Sequence, residues 1–123
     1  ICIGDGNFPG RATAQQGGCV FLRADGHGVP ELLDAILQVM PLDAYVETPV
    51  MLMERMKCDL DMELPIWTRY EQIVAAHDER GAQAFGAYER FEFYRQAQRC
   101  FCIIQTSEQS QYANIILQKG IVK

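Results

Sequence analysis

No stretch of this chain comes near the roughly 18 uncharged apolar residues that a membrane-crossing helix needs. The longest apolar runs are Phe101–Ile104 and Pro49–Met53. Positive charge is scarce: 11 Lys and Arg stand against 16 Asp and Glu, a net charge of −5. Nucleic-acid affinity rests on cations that neutralise phosphates, so this balance speaks against a nucleic-acid partner. Common catalytic signatures are missing too: no P-loop, no GxGxxG after a strand, no HExxH and no GxSxG. The lone Gly4-Asp5-Gly6 is too short to mark a dinucleotide site. Repeats, low-complexity segments and linkers are absent, and 123 residues fit a single domain.

Disulfide and zinc patterns are lacking as well. The five cysteines, Cys2, Cys19, Cys58, Cys100 and Cys102, are odd in number and include no CxxC. Four sit in apolar, strand-like contexts, which suits small buried thiols in a reducing compartment, with the cytoplasm expected. Cys100 and Cys102 share one face if the segment is a strand. Without a His or third Cys at ligand spacing, the expectation is no metal.

What is present is an alternation of strand-like and helical stretches. Strands are expected at Ile1–Gly4, Cys19–Leu22, Pro49–Met53, Phe85–Tyr88, Cys100–Ile104 and Asn114–Leu117. Asp5–Gly18 reads as loop, and Asp25-Gly26-His27-Gly28 is turn chemistry. Pro30 opens a helix at a favoured first-turn position, and Leu32, Leu33, Ile36, Leu37 and Met40 recur on one face. Pro41 stops it. A second helix is expected from about Leu64 to Arg80, with Ile66, Trp67, Tyr70, Ile73, Val74 and His77 on one side. A short third helix is expected over Arg90–Arg99, with Phe91, Tyr94 and Ala97 on one face. Glu54–Glu63 and Ser107–Gln111 read as irregular connections. The order suits an α/β or α+β domain.

Candidate chemistry lies at strand ends. Asp5 directly follows the first strand, where open α/β sheets place ligands, although a turn carboxylate accepting local backbone bonds fits the spacing too. Tyr112 and Asn114 stand at i and i+2 at a loop-to-strand transition, so on a strand both would face one side. With Arg90 at the start of a helix, they offer a phenol, an amide and a guanidinium. Such a set suits a sugar, whose hydroxyls need donors and acceptors and whose C–H faces suit aromatic rings. A satisfied edge tyrosine and a turn asparagine are the structural alternative.

Five segments in series carry a resemblance: Asp5-Gly-Asn-Phe-Pro9, Arg23-Ala-Asp-Gly26, Pro41-Leu-Asp-Ala-Tyr-Val46, Arg90-Phe-Glu-Phe-Tyr94 and Tyr112-Ala-Asn-Ile-Ile-Leu117 with Lys119-Gly120. Together they resemble the RbsD/FucU family of ribose pyranases and fucose mutarotases, and cover essentially the whole chain. Arg90 is similar to the fucose branch, where ribose pyranases typically carry His. The resemblance implies a compact single-domain α/β fold, a central sheet with flanking helices. It also implies interconversion of the α and β anomers of L-fucose without cofactor or metal. The resemblance further implies a homo-oligomer, a ring such as a decamer or a smaller assembly, with sugar sites at subunit interfaces. One subunit supplies most sugar contacts and its neighbour a His-Asp dyad. By position, Asp5 matches the dyad Asp, and Arg90, Tyr112 and Asn114 match sugar-binding positions.

The family's dyad His precedes Asp5 in a Gly-His-Gly-Asp turn, at a position before Ile1. Ile1-Cys2-Ile3 already reads as strand, so the expectation is a chain lacking an N-terminal segment. Neither His27 nor His77 is assigned a catalytic role. Ring opening needs a base at the O1 hydroxyl and an acid at the ring oxygen. An imidazole oriented by Asp5 would serve one oxygen. Tyr112 would serve the other, or act as a hydrogen-bond donor. Ribose pyranase activity and non-catalytic sugar binding are the alternatives.

Overall fold

Short, mostly apolar runs set the sheet, and the computed structural model describes residues 1–122. Among these residues six strands form one mixed sheet: β1 (Cys2–Gly4), β2 (Val20–Ala24), β3 (Val50–Met53), β4 (Phe85–Tyr88), β5 (Cys102–Thr106) and β6 (Ile115–Leu117). Their spatial order is β2-β5-β1-β6-β3-β4. β1 pairs parallel with β5, β5 with β2, and β3 with β4, while β6 lies antiparallel between β1 and β3. Five strands therefore point the same way, and β6 alone begins where they end.

Side chains alternate across the pleat, so neighbouring residues feed different cores. Ile3, Val50, Leu52, Ile115 and Leu117 face one layer with α2 (Val29–Leu37) and α3 (Pro65–Ala75). Cys2, Met53 and Ile103 face the other, with α1 (Gly10–Gly17) and α4 (Arg90–Ala97). The result is a three-layer α/β domain. α2 begins as its sequence suggests, with Pro30 in the first turn and Glu31 accepting from the Gly28 N–H at 3.0 Å. A second carboxylate, Glu108 from the β5–β6 connection, accepts from the Val29 N–H at 3.0 Å.

Three local expectations differ from the structure. α1 occupies the middle of the expected Asp5–Gly18 loop; it buries only Gly10, Thr13 and Ala14, so its sequence has no apolar stripe. Its boundaries are nonetheless written in Pro9 at the start and Gly18, in the left-handed conformation at φ 72°, at the end. α3 stops at Ala75 rather than near Arg80. There the Asp78 carboxylate accepts from the Arg80 N–H at 3.0 Å, and Gly81 turns the chain at φ 54°. The Arg80 guanidinium then donates to the Val46 and Asp43 carbonyls at 3.0 and 3.1 Å, tying down the loop before β3. In α4 the buried residues are Phe93 and Ala97, and Phe91 is 62% exposed. The Phe8 ring meets buried Phe93 edge-on at 6.0 Å and packs on Tyr94 at 5.8 Å.

Candidate active site

Four adjacent strands, β1, β6, β3 and β4, deliver the chemistry to one edge of the sheet. Asp5 follows the carboxyl end of β1, Met56–Asp59 follows β3, Arg90 opens α4 just after β4, and Tyr112–Asn114 leads into β6. Open α/β sheets bind ligands outside the carboxyl ends of their strands. Here these segments enclose a cleft of about 320 Å³, lined among others by Asp5, Arg90, Tyr112 and Asn114. A larger hollow of about 830 Å³ lies beside α3, but none of these four residues lines it. All four expected site residues thus line the cleft of one chain, Asp5 included.

Asp5 is 6% exposed and held by its backbone as well as its side chain. Its N–H donates to Asn114 Oδ1 at 2.7 Å, its carbonyl accepts from Gln105 Nε2 at 2.6 Å, and its Oδ1 accepts from the Asn7 N–H at 3.0 Å. The turn role of this carboxylate and its place in the cleft therefore coexist. Burial pushes the Asp5 carboxyl above the ordinary aspartate value, and backbone N–H groups, Asn7 foremost, partly oppose the shift. Gly4 is needed at the preceding position: a Cβ there would meet the Phe8 side chain at 2.7 Å, where that ring forms part of the cleft wall. Asn114 commits Oδ1 to Asp5 and also lines the cleft.

Tyr112 does not sit on a strand with Asn114. It adopts φ 55°, in the left-handed region that costs a non-glycine residue about 1–3 kcal/mol. Neighbours hold it there. Trp67 Nε1 donates to the Tyr112 carbonyl at 2.7 Å, and the buried Tyr70 hydroxyl donates to the Ala113 carbonyl at 2.7 Å. The Tyr112 hydroxyl donates to Asp59 Oδ2 at 2.5 Å and accepts from the Met56 N–H at 3.2 Å. The bond to Asp59 raises the phenol's pKa above its ordinary value. Replacing Tyr70 by Phe leaves the Ala113 carbonyl without its buried donor. Chemical denaturation should show a loss of about 1–3 kcal/mol. An unchanged midpoint would refute this role for the hydroxyl.

Arg90 is oriented by the helix it opens. Glu89 caps α4 by accepting from the Phe91 and Glu92 N–H groups at 2.9 and 3.2 Å. Arg90 Nε donates to the Tyr94 hydroxyl at 3.4 Å, and its guanidinium lies 5.9 Å from the Tyr94 ring centre. Tyr94 also lines the cleft and packs on Phe8, whereas Glu92 pairs with Arg95 and Gln96 outside it. The histidines take no part: His27 Nδ1 is 3.0 Å from Glu31, and His77 Nε2, just past α3, is 2.7 Å from Asp34 of α2. Sequence reasoning missed Met56 and Asp59. Their position directly after β3 is the signal that picked out Asp5 after β1.

A three-layer α/β domain with an acid, a phenol, an amide and a guanidinium gathered at its strand ends has the groups needed to hold a small polar molecule and to move its protons. Comparison with known proteins narrows that description. Residues 1–122 match the model of the RbsD / FucU transport protein family, and the chain belongs to that family. It is 40% identical to the fucose mutarotase of Homo sapiens over 99% of this chain and 79% of that protein. FucU from Bifidobacterium longum superposes with a TM-score of 0.94 at 48% identity, covering 99% of this chain and 84% of that one. A fucose mutarotase from Streptococcus pneumoniae, solved in complex with L-fucose, gives 0.91 at 36% identity, covering 100% and 83%.

Proposed function

We propose that this protein is an isomerase that interconverts the α and β anomers of L-fucose. The observation that carries the reading is the meeting of Asp5, Arg90, Tyr112 and Asn114 in one cleft. Its support is the 36% identity to a fucose mutarotase solved with L-fucose. Mutarotation consists of proton transfers: one leaves the O1 hydroxyl while another reaches the ring oxygen as the C1–O5 bond breaks. Closure on the opposite carbonyl face reverses both. In this reading the Asp5 carboxylate orients an imidazole and supports its charged form at one oxygen. Neither His27 nor His77 lines the cleft, and neither is given this role. Tyr112 serves the other oxygen, and Arg90 and Asn114 hold hydroxyls, the guanidinium through its planar fork of donors.

A homo-oligomer, in the ring form the family resemblance implies, is part of the same proposal. The exposed Val20, Leu22 and Phe101 offer apolar surface for it, and the free thiols suit a cytoplasmic setting. The test is saturation-transfer NMR on equilibrating L-fucose. The protein should transfer saturation between the two anomeric protons at catalytic concentrations, and do so less effectively with D-ribose. Arg90→Ala should weaken L-fucose binding by about 10- to 100-fold, the worth of one or two charged hydrogen bonds. Titration calorimetry showing equal affinity would remove Arg90 from the site.

A further inference from the structure

We infer that Asp59 is a positioning residue for Tyr112: by holding the phenol's proton, it makes the tyrosine an acceptor toward the sugar and receives that proton when the sugar gives up its own. The inference rests on the mutarotase reading above and assigns a direction to the tyrosine that the resemblance leaves open. It starts from the hydrogen-bond capacity of a phenol, which has one proton and a small number of acceptor sites. Tyr112 spends its proton on Asp59 Oδ2 at 2.5 Å, and the Met56 N–H occupies an acceptor site at 3.2 Å. What is left to face the cleft is oxygen lone-pair density. Tyr112 therefore meets a sugar hydroxyl as acceptor, not donor.

Position supports the assignment. Asp59 closes the 3-10 turn Lys57–Asp59 and lines the same cleft as Tyr112, Asp5 and Arg90. The short contact spans 53 positions of sequence, so it is a tertiary arrangement between the segment after β3 and the segment before β6. In the opening step the O1 proton passes to Tyr112 Oη as the tyrosine's own proton passes to Asp59 Oδ2. The O1 electron pair forms the carbonyl, the C1–O5 bond breaks toward O5, and O5 takes a proton from the acid associated with Asp5. Closure returns each proton by the same path. Asp59 finishes the opening step as a neutral carboxyl and Tyr112 stays neutral throughout. That matters because the arrangement makes a free phenolate costly, the Asp59 bond raising the Tyr112 pKa with Cys58 adding to it and the Met56 N–H opposing.

Asp59→Asn separates the relay from mere support of the loop, because an amide oxygen still accepts the phenol's hydrogen bond but cannot take up its proton. In saturation-transfer NMR with the full chain, Asp59→Asn should slow exchange about 10- to 100-fold. The L-fucose Kd should stay within about threefold, and Asp59→Glu should recover part of the rate. Asp59→Asn with Tyr112→Phe should be no slower than Tyr112→Phe alone, because the two act as a unit. Wild-type exchange in Asp59→Asn, multiplying effects in the double variant, or a loss confined to Kd would each overturn the inference. A wild-type protein that neither binds nor exchanges L-fucose would overturn the functional reading, and the inference with it.

Discussion

Asp5→Asn should lower the rate of L-fucose anomer exchange by about 10²- to 10⁴-fold, the usual worth of a positioned acid–base pair, while leaving the fold at least as stable as before. The two halves of this expectation come from different atoms. Most of what holds Asp5 in place is backbone: its N–H to Asn114 and its carbonyl to Gln105 survive the change, and the new amide oxygen still accepts from the Asn7 N–H. What disappears is the negative charge that would orient an imidazole and stabilise its charged form. Saturation-transfer NMR measures the first half, and exchange at the wild-type rate would dismiss Asp5 from the proton-transfer machinery.

The stability half has a defined dependence on pH. The Asp5 carboxyl is buried and its folded pKa lies above the unfolded value, so folding disfavours its ionised form. Below the ordinary carboxylate range the group is protonated in both states and costs nothing. As pH rises from the unfolded pKa through the folded one, the unfolded chain ionises first and wild-type stability falls. Above the folded value the whole cost is present. Asp5→Asn should therefore melt at or above the wild-type temperature at neutral pH, with the difference closing as the pH drops to the ordinary aspartate value. A variant less stable than wild type at neutral pH would mean that the ionised carboxylate contributes to folding. Charge kept at a site where it costs stability is the pattern expected of a residue retained for function.

The sheet is the part of this protein most legible in its sequence. All six strands lie at or beside short apolar or β-branched runs, and the central ones, β1, β3 and β6, feed side chains to both cores. α2 is written in its stripe and its Pro30. α1 is not, since a helix that buries a glycine, a threonine and an alanine has no apolar period to detect. The α4 stripe is ambiguous for the opposite reason: four aromatic or apolar residues in eight allow two phases, and only tertiary packing buries the one through Phe93 and Ala97. Asp5 was legible from its place after a strand, and Arg90, Tyr112 and Asn114 needed the family resemblance to raise them above turn and edge residues. The left-handed backbone of Tyr112 has no sequence signature, because its hold comes from Trp67 and Tyr70, about forty residues earlier. Asp59 was hidden among the charges of Glu54–Glu63, where composition describes a solvated connection and only tertiary structure shows the phenol beside it.

Tyr112→Phe should reduce exchange by about 10²-fold with a smaller loss of affinity, and its value as a test lies in how little else it moves. The turn that carries Tyr112 is fixed through main-chain carbonyls, by the Trp67 indole at Tyr112 and the Tyr70 hydroxyl at Ala113, and neither bond involves the phenol. The φ of 55° and the direction of the ring should therefore persist in the variant, and with them the placement of Asn114 against Asp5. Only the hydroxyl goes, and with it the bonds to Asp59 and the Met56 N–H. Asp59 is half-buried rather than sealed, so water can replace the lost partner, and the stability cost should stay near 1 kcal/mol, the net worth of a typical hydrogen bond. Tyr70→Phe gives the contrasting signature, in which stability falls first and activity follows through a loosened turn. If Tyr112→Phe instead lost stability as Tyr70→Phe does and exchanged fucose at the wild-type rate, the phenol would be a structural strut, and proton transfer at that oxygen would have to be assigned to another group in the cleft.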